Sequence, residues 1–193
     1  MPAWLNVPNA LTLARFALAP VFLWLYVKGN EDGALIAFAV AAATDALDGL
    51  AARLLRQQTQ LGALLDAAAD KLLLGCALVA LALRAQVPWW LTGIVVGRDV
   101  LLAAGSAFLL AHHAPLPVRP TRIGKYATAA VVLVVVVVLA ADYHDTPAAR
   151  SAPWIAVLGA ISSALVVASA VQYASAFAAS NRLGRRAHDA PGR

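Results

Sequence analysis

Four aspartates in one short stretch are the residues of this chain best placed to do chemistry. They are Asp45, Asp48, Asp66 and Asp70, and the residues around them are mostly Ala and Leu. Helical spacing sorts them into two pairs, because side chains three or four residues apart share a helix face. A short polar link, RQQTQ, joins the two helices. The spacing therefore predicts two antiparallel neighbouring helices that bring four carboxylates to one point.

Carboxylates in so apolar a setting need a positive partner. An ionisable side chain at the centre of a membrane helix costs about 2.5–3.5 kcal/mol. Four carboxylates cannot all stay ionised at low dielectric without a cation between them. Hard divalent cations take oxygen ligands, and residues 44–71 contain no His or Cys that would favour zinc. The aspartates therefore predict a Mg²⁺ site, with Mn²⁺ as the alternative ion.

Three residues on the same helix faces suit a phosphate ligand. Gly49 leaves a gap through which a ligand can approach the backbone, and Arg53 is a permanent cation suited to phosphate. Gly62 lies four residues before Asp66 and continues its face. The alternative is that the aspartates are helix-end charges or partners of interhelical salt bridges. That alternative explains one aspartate more easily than four at this spacing.

The composition indicates that the helices carrying these residues lie in lipid. The chain has 193 residues, of which 62% are hydrophobic and 13% charged, whereas soluble domains are about 45–50% apolar. A run of β-branched residues at 131–138 is predicted as helix, because only helices and closed barrels span a bilayer. We predict an all-α membrane domain over residues 1–180, with residues 1–10 as an interfacial segment and residues 181–193 as a disordered basic tail. The six predicted spans are 11–27, 34–55, 61–83, 88–110, 123–141 and 154–178.

The distribution of basic residues predicts the orientation. With both termini in the cytoplasm, nine basic residues lie on the cytoplasmic side and three on the other, as the positive-inside rule requires. The same basic rim beside anionic lipids explains the net charge of +5 without nucleic acid. The nine are Arg53, Arg56, Arg119, Arg122, Lys125, Arg182, Arg185, Arg186 and Arg193, and the three are Lys28, Arg84 and Arg150.

The full pattern of the stretch resembles the signature of the CDP-alcohol phosphatidyltransferase family. It reads Asp45-x2-Asp48-Gly49-x2-Ala52-Arg53-x8-Gly62-x3-Asp66-x3-Asp70, with every fixed position present. NVPNALTLAR at 6–15, GRD at 97–99 and RIGKYATA at 122–129 are also similar to segments of family members, so the resemblance covers about two-thirds of the chain. Many relatives have proline directly after the third aspartate, where this chain has Ala67, and this difference removes no functional group.

The resemblance implies a six-helix membrane enzyme of the cytoplasmic membrane, usually a homodimer, with a polar cavity open to the cytoplasm. It implies transfer of a phosphatidyl group from CDP-diacylglycerol to an alcohol, with release of CMP. By motif position, Asp70 is the general base and Arg53 lies at the diphosphate. The implied metal ligands are Asp45, Asp48, Asp66 and Asp70, and the implied nucleotide-site residues are Asp45, Gly49, Ala52, Arg53 and Gly62.

The acceptor alcohol is not encoded in the signature. Arg98, Arg122 and Lys125, with Arg119 nearby, are candidates to hold a phosphate on the acceptor, which favours glycerol 3-phosphate. The alternative acceptors are phosphatidylglycerol and inositol phosphate. Arg98 could instead pair with Asp99, and the other three could be topogenic charges only. We also expect Lys71 to balance the aspartate cluster.

Proteins of other classes also carry intramembrane carboxylates. An ion or proton transporter uses them, but more often shows inverted repeats or broken helices and does not need Gly49 and Arg53 so placed. A membrane prenyltransferase also uses paired aspartates with Mg²⁺, but in a longer chain with motifs much further apart. A purely structural scaffold would not offset the cost of the carboxylates. The phosphatidyltransferase hypothesis is therefore preferred.

Overall fold

The computed structural model describes residues 7–54, 60–111, 122–143 and 156–172. These residues form six helices that correspond one to one with the six predicted segments, and this part of the chain contains no strand. The all-α fold class is therefore confirmed. The helices are α1 (Val7–Val27), α2 (Glu31–Leu54), α3 (Gln60–Leu83), α4 (Trp89–Ala111), α5 (Arg122–Tyr143) and α6 (Ala156–Gln172).

Membrane crossing is supported for fewer helices than predicted. Two helical segments, Asn9–Val27 and Ile123–Asp142, are long and apolar enough to span a bilayer by length and composition. Six crossings therefore remain a prediction. Helix α1 begins at Val7, so it includes the last residues of the segment predicted to be interfacial. Pro8 is tolerated there because the first turn of a helix leaves its N–H groups without intrahelical partners.

Helix α1 is the element that organises the site, because α2 and α3 both pack along it. These two helices contact each other, as predicted, but make few such contacts, and most of their packing is against α1, which the sequence did not predict. Small side chains on the packed faces, such as Ala19 of α1 and Ala41 of α2, are fully buried and let the helices approach closely. The buried face of α1 repeats every three or four residues: Thr12, Arg15, Ala19, Phe22 and Tyr26.

The remaining helices complete one apolar core around α3. Valines of α5 pack with Leu78 and Leu81 of α3, Leu91 of α4 and Val166 of α6. The β-branched run of α5 is helical, as predicted, and one face of it is buried on every turn. The same core also includes Phe22 and Tyr26 of α1, so α3 is packed into one apolar cluster with the other helices. The core valines of α5 are Val131, Val134, Val135 and Val138.

A tight turn fixes how α1 and α2 face each other. Gly29 has a φ of 81°, a conformation that costs glycine little. The side-chain oxygen of Asn30 accepts a hydrogen bond from the Gly33 backbone N–H at 2.9 Å and so caps α2. Arg15 and Asp45 lie at similar sequence distances on either side of this turn. An antiparallel pair joined here therefore places them opposite each other.

A buried polar network ties the opposite end of the helices together. Asp142 of α5 is 1% exposed and accepts hydrogen bonds from Tyr26 Oη and Gln86 Nε2, both at 2.7 Å. The Arg84 guanidinium lies 3.4 Å from the same carboxylate and 2.7 Å from Glu31 of α2. Tyr26 is eleven residues from Arg15 along α1, about 16 Å away at helical rise. This network is therefore separate from the aspartate cluster.

We expect Asp142→Asn to lower the free energy of unfolding by about 2–4 kcal/mol, because an amide cannot accept both hydrogen bonds and removes the charge that faces Arg84. Thermal or denaturant unfolding in detergent, followed by circular dichroism, measures the effect. The matched control is Asp32→Asn in the exposed first turn of α2, for which the expected loss is under about 1 kcal/mol. Equal losses in the two variants would contradict a stabilising role for the network.

Candidate active site

Three of the four predicted carboxylates converge. Asp45 of α2 and Asp66 and Asp70 of α3 each offer one oxygen, and these oxygens all lie within 4.8 Å of one another. Each side chain is about half exposed. The spacing argument therefore places these three correctly. The side chain of Asp48 falls outside the described part of the chain, so its place in the cluster remains a prediction.

A buried arginine lies at the centre of this cluster. The Nη1 atom of Arg15 lies 3.0 Å from Asp45 Oδ1, 3.0 Å from Asp66 Oδ1 and 2.5 Å from Asp70 Oδ1. Its side chain is 0% exposed. Sequence reasoning missed Arg15 as a site residue and assigned the balancing charge to Lys71. The available signal was that Arg15 is the only charged residue in α1, and a lone cation on an apolar helix needs an anionic partner.

The cluster has the donor atoms and charge that a divalent cation needs. Three carboxylate oxygens are hard ligands of the kind Mg²⁺ takes, and no His or Cys belongs to the described cluster. With all three carboxylates ionised, the cluster and the Arg15 guanidinium leave a formal charge of −2. One divalent ion would neutralise that charge. The oxygens already converge on a cation in the structure, so the arrangement fits the predicted metal.

A second charged network lies next to the cluster. Asp99 Oδ1 of α4 accepts from Lys71 Nζ at 2.5 Å and from Arg98 Nη1 at 2.7 Å. Arg98 Nη2 donates to Ser169 Oγ of α6 at 2.9 Å. The pairing of Arg98 with Asp99, one of the two alternatives from the sequence, is therefore present. The expectation that Lys71 balances the aspartates is wrong, because its ammonium group is held by Asp99 instead.

The other predicted binding residues are only partly described. Lys125 is exposed on α5, and Gly62 is half-buried near the start of α3. Arg119 and the side chain of Arg122, at the start of α5, fall outside the described residues. The surroundings of Gly49 and the side chains of Ala52 and Arg53, late in α2, also fall outside the described part of the chain. The roles of these three residues at the nucleotide and diphosphate, and of the basic residues at the acceptor, remain predictions.

Comparison with known proteins identifies related sequences. The chain matches the CDP-alcohol phosphatidyltransferase family over residues 5–177. It is 38% identical over 130 residues to a cardiolipin synthase (CMP-forming) of Streptomyces coelicolor, covering 64% of this chain and 60% of that protein. It is 34% identical over 163 residues to a probable cardiolipin synthase (CMP-forming) of Drosophila melanogaster, covering 75% of this chain and 51% of the relative.

A probable phosphatidylglycerophosphate synthase of Mycobacterium tuberculosis is also similar. It is 40% identical over 101 residues, which cover 49% of this chain and 48% of that protein. The matched region thus spans about half to three-fifths of the length of these relatives. The family match is much longer with respect to this chain and includes all six described helices. The chain, with the complete aspartate signature from Asp45 to Asp70, belongs to the CDP-alcohol phosphatidyltransferase family.

Proposed function

We propose that this protein transfers a phosphatidyl group from CDP-diacylglycerol to an alcohol acceptor and releases CMP. The observation that carries the proposal is the convergence of three carboxylate oxygens within 4.8 Å of one another, in a chain of this family. Such a cluster suits divalent-metal-assisted phosphoryl transfer, in which positioning and electrostatics dominate. Because the chain belongs to this family, ion or proton transport is not needed to explain the carboxylates.

The aspartates would hold the metal, and Mg²⁺ is the proposed ion with Mn²⁺ as the alternative. Asp45, Asp66 and Asp70 supply converging oxygens, and Asp48 is the proposed fourth ligand. When bound, the cation would neutralise charge on the diphosphate and stabilise the CMP leaving group. Arg53 is proposed to bind the diphosphate beside Asp45, and the small residues of the signature leave room for the nucleotide. Those small residues are Gly49, Ala52 and Gly62.

Asp70 is the proposed general base. Its carboxylate would take the proton of the acceptor hydroxyl as the new oxygen–phosphorus bond forms. The bond from the same phosphorus to CMP would break, and CMP would leave with the electron pair. Asp70 suits this role because its side chain is 51% exposed. The Arg15 guanidinium, 2.5 Å from Asp70 Oδ1, is the contact that orients this carboxylate.

A membrane setting follows from the donor and from the surface of the helices. The donor is a lipid, so its headgroup can react while its acyl chains stay in the bilayer. Large apolar side chains face outward on several described helices, as contact with lipid requires. We propose a multi-pass protein of the cytoplasmic membrane, with cytoplasmic termini and a homodimeric assembly. The outward apolar side chains include Trp24, Ile36, Leu101, Tyr126 and Val171.

Two acceptors merit direct comparison. The cardiolipin synthase relatives align with 64% and 75% of the chain, against 49% for the phosphatidylglycerophosphate synthase. Arg98, one of the cations that favoured glycerol 3-phosphate, is already engaged by Asp99 and Ser169. We therefore propose phosphatidylglycerol as the first candidate. Glycerol 3-phosphate is the second, supported by the phosphatidylglycerophosphate synthase relative and by the exposed Lys125.

Metal binding can be measured without substrate. We expect Mg²⁺ to raise the Tm of the wild-type protein in detergent, because a ligand that binds only the folded state stabilises it. Asp45→Asn and Asp66→Asn should each remove most of that rise, since each loses a converging oxygen. Asp142→Asn, a buried aspartate of the other network, is the matched control and should retain the rise. A full Mg²⁺ response in Asp66→Asn would remove that residue from the metal site.

The base assignment predicts a separation of binding from turnover. We expect Asp70→Asn to abolish CMP release while CDP-diacylglycerol binding stays largely intact, because the amide cannot accept the hydroxyl proton. Single-turnover assays and binding of the CDP-lipid measure the two effects. A variant that keeps more than about a tenth of the wild-type rate would show that Asp70 is not the base.

An acceptor panel tests both the reaction and the choice of alcohol. Purified protein with Mg²⁺ and CDP-diacylglycerol is given phosphatidylglycerol, glycerol 3-phosphate, inositol phosphate or serine, and the lipid product is identified by mass spectrometry. We expect CMP release and cardiolipin with phosphatidylglycerol. Phosphatidylglycerophosphate as the sole product would transfer the assignment to the second candidate. No CMP with any acceptor would contradict the proposed reaction.

A further inference from the structure

Arg15 contacts all three clustered aspartates but has no role in the proposed reaction. One of its nitrogens, Nη1, lies 2.5–3.0 Å from an oxygen of Asp45, Asp66 and Asp70 at once. The side chain is fully buried, whereas each carboxylate is about half exposed. The guanidinium therefore approaches the cluster from inside the bundle. The open side of the cluster is left to solvent and ligands.

The position of Nη1 conflicts with a metal held by the same oxygens. Nη1 lies 2.5–3.0 Å from the Oδ1 atom of each of the three carboxylates, so it already contacts one oxygen that each aspartate could offer to a metal. Mg²⁺ needs its oxygen ligands at about 2.0–2.1 Å, so an ion bound by the same three oxygens would lie close to the positively charged guanidinium and would be repelled by it. A terminal guanidinium nitrogen has only two hydrogens, so the three contacts cannot all be full hydrogen bonds. Attraction between opposite charges is therefore the main reason why Nη1 lies there.

We propose that Arg15 is a built-in counter-cation that competes with the divalent metal for Asp45, Asp66 and Asp70. Without metal, its fixed charge holds together three carboxylates that would otherwise repel one another in an apolar bundle. When metal binds, the guanidinium yields these oxygens to the ion. Arg15 is thus a positioning residue: it keeps the ligands assembled, and it weakens metal binding. The inference rests on the proposed metal-dependent function.

The competition predicts opposite effects on stability and on metal affinity. Arg15→Gln removes the charge but keeps a hydrogen-bond donor, so the metal-free protein should have a lower Tm than wild type. The same variant should bind Mn²⁺ at least about tenfold more tightly. The reason is that the repulsion between a unit positive charge and a neighbouring divalent ion, even at an effective dielectric of ~20, exceeds the free energy of a tenfold change in affinity. A residue with only a structural role would lower stability without tightening metal binding.

The experiment is titration of the full-length protein in phosphate-free detergent with Mn²⁺, with free Mn²⁺ measured by electron paramagnetic resonance. Arg15→Lys keeps the charge, and its affinity should stay within about threefold of wild type. Arg84→Gln is the matched control, because Arg84 is a part-buried arginine paired with Glu31 and Asp142 in the separate network. Its Mn²⁺ affinity should equal that of wild type.

A second pair of variants covers the case in which Arg15→Gln does not fold without metal. Asp45→Asn and the double variant Arg15→Gln/Asp45→Asn have fewer charges to balance. The double variant should still bind Mn²⁺ more tightly than Asp45→Asn alone.

The outcomes separate the inference from the proposed function. Unchanged or weaker Mn²⁺ binding after loss of Arg15, in either pair, would overturn the inference while leaving a metal-dependent enzyme. Equal tightening in Arg15→Lys and Arg15→Gln would show that charge is not the cause and would also overturn it. A wild-type protein that binds no Mn²⁺ or Mg²⁺ would overturn the metal-dependent function, and the inference with it.

Discussion

The contact on which the site depends is the ion cluster that Arg15 makes with Asp45, Asp66 and Asp70. Three carboxylates within 4.8 Å of one another repel although each is about half exposed, and the fully buried Arg15 needs them because an unpaired buried charge costs several kcal/mol. A cation among them turns that repulsion into attraction between helices. Helices α2 and α3 touch each other little. Their charged side chains therefore meet through α1, which supplies the cation.

Packing and chemistry share the same helix faces. The buried face of α1 carries Arg15 between Thr12 and Ala19, and the face of α2 continues from Ala41 to Asp45 at the same helical spacing. A residue that positions the site therefore also belongs to the interface between helices. The separate network around Asp142 closes the other end of the bundle.

The helices and three of the four clustered aspartates could be predicted from the sequence, because the signals for them lie within single segments of the chain. A spacing of four residues put Asp66 and Asp70 on one face, and apolar composition together with segment length and flanking residues marked the helices. The order of packing was not predictable from those signals, because a short link between α2 and α3 does not reveal that α1 packs against both. That is why Lys71, adjacent in sequence, was chosen as the balancing charge, whereas Arg15, 51 residues before Asp66, holds the position.

Anomalous scattering from Mn²⁺ in crystals of the full-length protein tests the central claim most directly, because it locates the ion independently of activity. The account predicts a peak at coordination distance from oxygens of Asp45, Asp66 and Asp70, with Arg15 Nη1 moved out of the space among them. A peak elsewhere with Nη1 still among the three carboxylates, or no peak at saturating Mn²⁺, would contradict the account.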